Sequence, residues 1–130
     1  MEKGKEEVNN DRELIDAYMV KVRQAQGLLV QMHENNAKMK DIVVQIQQEN
    51  SSEKQQEKTK ELNAVMEKNQ KMQKEVKVLL EVMVEEINES KRLYEAEPET
   101  RVKKFVHMTL STKFRDVLRE SQAIQTDFKN

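Results

Sequence analysis

Two histidines, His33 and His107, are the residues of this 130-residue chain best suited to chemistry near neutral pH. On a helix, a histidine joins a metal site through a Glu-x-x-His or His-Glu-x-x-His spacing, which turns the ligands onto one face. Neither spacing occurs here: Val30 stands three residues before His33, and Lys104 three before His107. Cysteine is absent, so a disulfide framework, a thiolate metal site and a cysteine nucleophile are excluded. Gly4 and Gly27 are isolated, which rules out a glycine-rich phosphate loop, and no Ser/His/Asp motif is present. The 24 carboxylates are mixed with 23 lysines and arginines, a pattern of solvated helix faces. The expectation is a protein that is not an enzyme and uses no metal or cofactor.

The elements that would position any functional residue are long helices. Glycine occurs twice and proline once, too little punctuation for a sheet protein. The hydrophobic and charged fractions are both 36%, low and high respectively for a globular domain, as amphipathic helices require. A net charge of −1 lacks the basic excess that drives nonspecific nucleic-acid binding, so no nucleic-acid partner is expected. Apolar runs are short, Gly27 to Val30 being among the longest, and predict no membrane span or signal segment.

Residues 1–10 (MEKGKEEVNN) read as a flexible lead-in, with Asn10 or Asp11 capping a first helix over about 11–48. Its stripe is Ile15, Tyr18, Val22, Ala25, Leu29, Met32, Asn36, Met39, Val43 and Ile46, in alternating steps of three and four. Leu14, Leu28 and Ile42 widen that face. Asn36 interrupts it, either as a polar layer at the bundle edge or as a register-setting contact. Gln47 to Lys58 is wholly polar and reads as a connection, with Ser52 and Gln55 at capping-box spacing. A second helix over about 55–95 carries Leu62, Val65, Asn69, Met72, Val76, Leu79, Met83, Ile87, Ser90 and Tyr94, widened by Leu80 and Val84. Val78 points away from that face. Pro98 opens a third helix over about 98–128, with the stripe Val106, Leu110, Phe114, Val117, Ser121, Ile124 and Phe128. Three such stripes joined by two short connections predict an all-α, elongated, antiparallel up-and-down three-helix bundle filling 11–130. Off the third stripe, Phe105, Met108, Thr112, Arg115 and Arg119 share a second face.

The segment Arg101 to Val117 (RVKKFVHMTLSTKFRDV) resembles the start of the third helix of the syntaxin N-terminal Habc domain. That family shows a basic run followed by Q-H-x-x-L-x-x-K-F-x-x-V. His107, Leu110, Lys113, Phe114 and Val117 match it, with Val106 in place of Gln. Glu120, Ala123, Gln125, Asp127 and Phe128 fit the family's continuation, while Ser121 departs from its usual aromatic. Weaker similarity runs back through Lys60-Glu61-Leu62 with Met66, and through Tyr18-Met19 with Val22 and then Glu34-Asn35. The likeness covers about residues 15–130.

The resemblance implies the regulatory domain of a target-membrane SNARE. Such a domain folds back on its own SNARE helix, giving a closed state that delays assembly with other SNARE proteins and is bound by an SM-family protein. A groove between helices two and three would receive that helix, with Val78, Phe105, Met108, Thr112, Arg115 and Arg119 as the expected contacts. The parent would lie on the cytosolic face of a target membrane, most plausibly the plasma membrane, held by a single C-terminal anchor. The SNARE motif and anchor are not in this sequence, which therefore reads as a soluble fragment. The family's short N-terminal SM-binding peptide has no good counterpart, since Asp11-Arg12 is followed by Glu13. A spectrin-like scaffold bundle is the alternative, although such repeats usually carry a Trp that this chain lacks. A lipid-associating amphipathic bundle would call for more large apolar residues and a basic interfacial rim.

Overall fold

A computed structural model of the chain describes the backbone of residues 2–93 and 98–129, and the side chains of 17–89 and 98–128. Outside the short connection 49–51, every described residue is helical. The helices are α1 (Glu2–Gln48), α2 (Ser52–Leu93) and α3 (Pro98–Lys129). At 1.5 Å per residue they are about 70, 63 and 48 Å long. They form the all-α three-helix bundle that the stripes predict.

Helix α1 begins at Glu2, so the stretch expected as a lead-in is continuous with it, and Asn10 and Asp11, whose side chains lie outside those described, stand within the helix and not at its start. The reason is local. Lys and Glu, both good helix formers, dominate this segment, and Gly4 alone does not stop a helix. The first connection is likewise shorter than the polar stretch Gln47 to Lys58, because polar residues on an outer helix face leave no mark of a turn. The cap of α2 is Ser51, not Ser52. The Ser51 hydroxyl accepts the Lys54 N–H at 3.4 Å and its carbonyl accepts the Gln55 N–H at 3.0 Å. Gln55 turns back instead of completing a capping box. Its Nε2 donates to the Glu49 carbonyl at 2.6 Å and the Ile46 carbonyl at 3.3 Å, closing the open end of α1. This carries the chain through the turn with no left-handed residue among those described, so no glycine is needed there. Pro98 is the first residue of α3, where its missing N–H costs nothing, and Glu99 meets the positive helix end. The break residues 95–97 lie outside those described.

Helices α1 and α3 run parallel, with α2 antiparallel to both. Tyr18 meets Lys103, and Asn36 meets Val117, so α1 and α3 advance together. Lys21 pairs with Glu86, and Asn35 with Asn69, so α2 runs back. The core has two apolar halves. One gathers Tyr18, Val22, Leu29, Met32, Val76, Met83, Leu110 and Val117. The other gathers Met39, Ile42, Val43, Leu62, Val65 and Ile124. Each fully buried aliphatic side chain contributes roughly 1.5 to 3 kcal/mol to folding before the entropy of ordering is counted.

Between the halves lie Asn36, Asn69 and Ser121, all buried. Asn36 is fully enclosed, not at the bundle edge. Its Nδ2 donates to the Val117 carbonyl at 3.0 Å, and its Oδ1 accepts from Asn69 Nδ2 at 2.9 Å. Asn69 Oδ1 accepts from Asn35 Nδ2, also at 2.9 Å. The layer thus ties all three helices together. No described buried side-chain N or O atom lacks a partner.

Candidate partner-binding surfaces

Four surfaces could receive a partner. The seam between α2 and α3 is lined by Leu80, Val84, His107, Ser111 and Phe114, with Lys77 and Glu81 on its rim. His107 belongs to the packing here. Its Nε2 lies 3.2 Å from the Leu80 carbonyl, which requires the proton on that nitrogen and ties α3 to the backbone of α2. Phe114 is half-buried, so its ring closes the core on one side and floors the seam on the other. Val84, expected to widen the core face of α2, is 39% exposed and forms the seam's lip. The reason is that Leu80, Met83 and Ile87 already fill the inward arc of α2, leaving Val84 at its margin.

The seam between α1 and α2 is a larger groove of about 650 Å³, lined by Gly27, Leu28, Val78 and Leu79 with Arg23 and Lys74 among its polar residues. Gly27 makes it deep, because a Cβ placed there would meet nothing within 4 Å. The seam between α1 and α3 holds a groove of about 700 Å³ lined by Lys40, Val44, Ala123 and Asp127 among others. An exposed pair crosses it, His33 Nδ1 to Glu120 Oε1 at 3.5 Å.

The fourth surface is the back of α3. At 100° per residue, Phe105, Met108, Thr112, Arg115 and Arg119 fall within about 40° of the direction opposite buried Leu110. All five are exposed, Phe105 at 65% and Met108 at 59%. They form one continuous outward face, as the spacing predicts. Val78 does not join them. It is 57% exposed, but it lines the groove toward α1, so the structure separates it from the α3 set. Nor does the α3 set line the seam between α2 and α3. The step of one helix turn puts these five residues on one face, but only packing decides which side that face looks toward.

Sequence spacing also missed the contact that closes one end of the bundle. The Tyr18 hydroxyl donates to the Lys103 carbonyl at 2.7 Å, and Lys103 Nζ lies 5.3 Å from the centre of the Tyr18 ring. Burial pushes the Tyr18 phenol up from 10.0 to about 12. Thr100 and Lys103 are buried with it. A lysine inside a basic run reads as surface, and only the phenol of Tyr18, which needs a partner once buried, hinted at this contact.

Among the described residues, no group of three or more His, Cys, Asp and Glu side chains could hold a metal. No described helix is long and apolar enough to cross a membrane. No protein-family model matches the chain, and no curated protein matches it.

Proposed function

We propose that this chain is the N-terminal regulatory domain of a syntaxin-type SNARE, acting in vesicle docking and membrane fusion by holding a SNARE helix in a closed state. The observation that carries this reading is the sequence of α3, with His107, Leu110, Lys113, Phe114 and Val117 at the family's spacing. The bundle gives those residues coherent work. Leu110 and Val117 are buried, while His107 and Phe114 sit where α3 meets α2.

The SNARE helix would lie along the seam between α2 and α3, covering the exposed side of Phe114 and the lip at Val84 in a local four-helix arrangement. An SM-family protein would bind the closed form. The parent protein would sit on the cytosolic face of a target membrane, the plasma membrane in this reading, through a C-terminal anchor. A spectrin-like scaffold remains the second reading, because it would use the same three antiparallel helices.

The first test is the transcript beyond the codon for Asn130. A heptad array with a central Gln, followed by an apolar tail, is expected; its absence favours the scaffold. The second is calorimetric titration of the 130-residue chain with that downstream helix. Val84→Glu with Ser111→Glu should weaken binding at least tenfold with helicity retained, by placing charge in an apolar seam. Unchanged affinity in the folded double variant would remove the seam from the mechanism. Phe105→Asp with Met108→Asp, on the opposite side of α3, is the comparison pair.

A further inference from the structure

The outward face of α3 is left over once the seam is assigned, and its chemistry is uneven. Arg101, Arg115 and Arg119 are exposed along about 27 Å of helix, with Phe105 and Met108 between them. The helix carries seven Lys and Arg against four Asp and Glu, although the whole chain has a net charge of −1. Three of the four acidic residues stand aside from this face. Glu99 is in the first turn, and Glu120 and Asp127 line the groove toward α1. Asp116, the fourth, is exposed at the edge nearer α1.

The threonines on this side are less polar than their names suggest. Thr109 Oγ1 donates to the Phe105 carbonyl at 3.0 Å, and Thr112 Oγ1 to the Met108 carbonyl at 2.9 Å. With the hydroxyls bonded along the helix, the methyl groups extend the apolar strip.

The shape narrows the choice of partner. A docking helix needs a groove and an apolar row sustained over several turns. Here the apolar side chains stand on the ridge of a single helix, and the row ends at Thr112. A planar anionic surface asks for less: cationic side chains that reach headgroups, and a few large apolar ones that enter the interface. We propose that this face of α3 docks on a bilayer rich in anionic phospholipid, with Arg101, Arg115 and Arg119 meeting the headgroups and Phe105 and Met108 inserted between them. The proposal is independent of the syntaxin reading.

The test is flotation of the 130-residue chain with vesicles at millimolar lipid. Association is expected with phosphatidylcholine containing about one-third phosphatidylserine, but not with phosphatidylcholine alone, and it should fall as salt is added. Each arginine removed should lower partitioning about fivefold, so Arg115→Ala with Arg119→Ala should lower it roughly 25-fold. Phe105→Ala with Met108→Ala should lower it as well. Lys38→Ala with Lys71→Ala removes the same charge from exposed sites on α1 and α2 and should leave partitioning nearly unchanged. All six positions are exposed, and circular dichroism confirms that each variant is folded. Equal binding to neutral and anionic vesicles, no binding to either, or equal loss in the lysine and arginine variants would overturn the proposal. So would capture of an acidic amphipathic peptide through Arg115 and Arg119 by a chain that ignores vesicles.

Discussion

Asn36 on α1 and Asn69 on α2 share a buried amide hydrogen bond of 2.9 Å at the level where the apolar core is interrupted. Asn36 also reaches the backbone of α3 at Val117, so one side chain touches both neighbouring helices. Asn36→Ala should destabilise the bundle by about 2 to 3 kcal/mol, because Asn69 is left with an unsatisfied buried donor. Asn36→Leu with Asn69→Leu should cost clearly less than the sum of the single changes, since both polar groups leave together. Urea denaturation of the four proteins in that cycle gives the coupling directly. Strict additivity would mean that the two amides do not act as a pair.

Gly27 offers the opposite sign. It lies inside α1, is exposed, and has open space where a Cβ would stand. Gly27→Ala should raise stability by about 0.5 to 1 kcal/mol through helix propensity alone. Thermal melting checks this, and a fall in Tm would mean that the groove against Val78 is filled in solution.

The Tyr18 phenol makes alkaline stability informative. Its folded pKa of about 12 lies above the value of 10.0 it has when free. The folded state therefore holds the proton more tightly. The associated stability is complete below about pH 10 and is lost as pH rises from there through about 12, on the order of 2 kcal/mol in all. Wild type should lose stability over this window, while Tyr18→Phe should lack that loss. Tyrosinate absorbance should show Tyr18 titrating late. Parallel stability curves over this range would contradict the assignment.

Gln55 should matter more than a surface glutamine usually does. It donates to two carbonyls at the end of α1 from the first turn of α2. Gln55→Ala should cost about 1 kcal/mol. The neighbouring Gln56, which is exposed, should be neutral when changed to Ala. Paired denaturation curves would show whether the two positions differ.

Much of this was legible in the heptad steps. From Tyr18 onward the α1 stripe is buried nearly as written, Ile15 and the Leu14 beside it lying outside the described side chains, and the α3 stripe is buried or half-buried throughout, because a period of three and four residues fixes one face of a helix relative to its own axis. What the steps omit is the relation between axes. Val78 and Phe105 are both off-stripe, and only the packed bundle reveals that Val78 lines the groove toward α1 while Phe105 faces outward. Boundaries failed for a related reason. Residues 1–10 and 47–58 are polar, and polarity marks an outer helix face as readily as a loop. Lys103 was hidden by residue type: a lysine buried along its stem departs from the usual partition.

The asparagine layer also governs how the bundle can come apart. Each apolar half is lined by residues of all three helices and separated from the other by a layer whose amides bond to one another and to the Val117 carbonyl. Packing around Ile124 and Leu62 is therefore expected to open while the packing around Leu110 and Met83 stays in place. The amide protons at the two ends should exchange with solvent through separate openings, each with its own free energy below that of global unfolding. The end near the α1–α2 connection holds the smaller set of buried side chains among those described, and it is the end expected to breathe first.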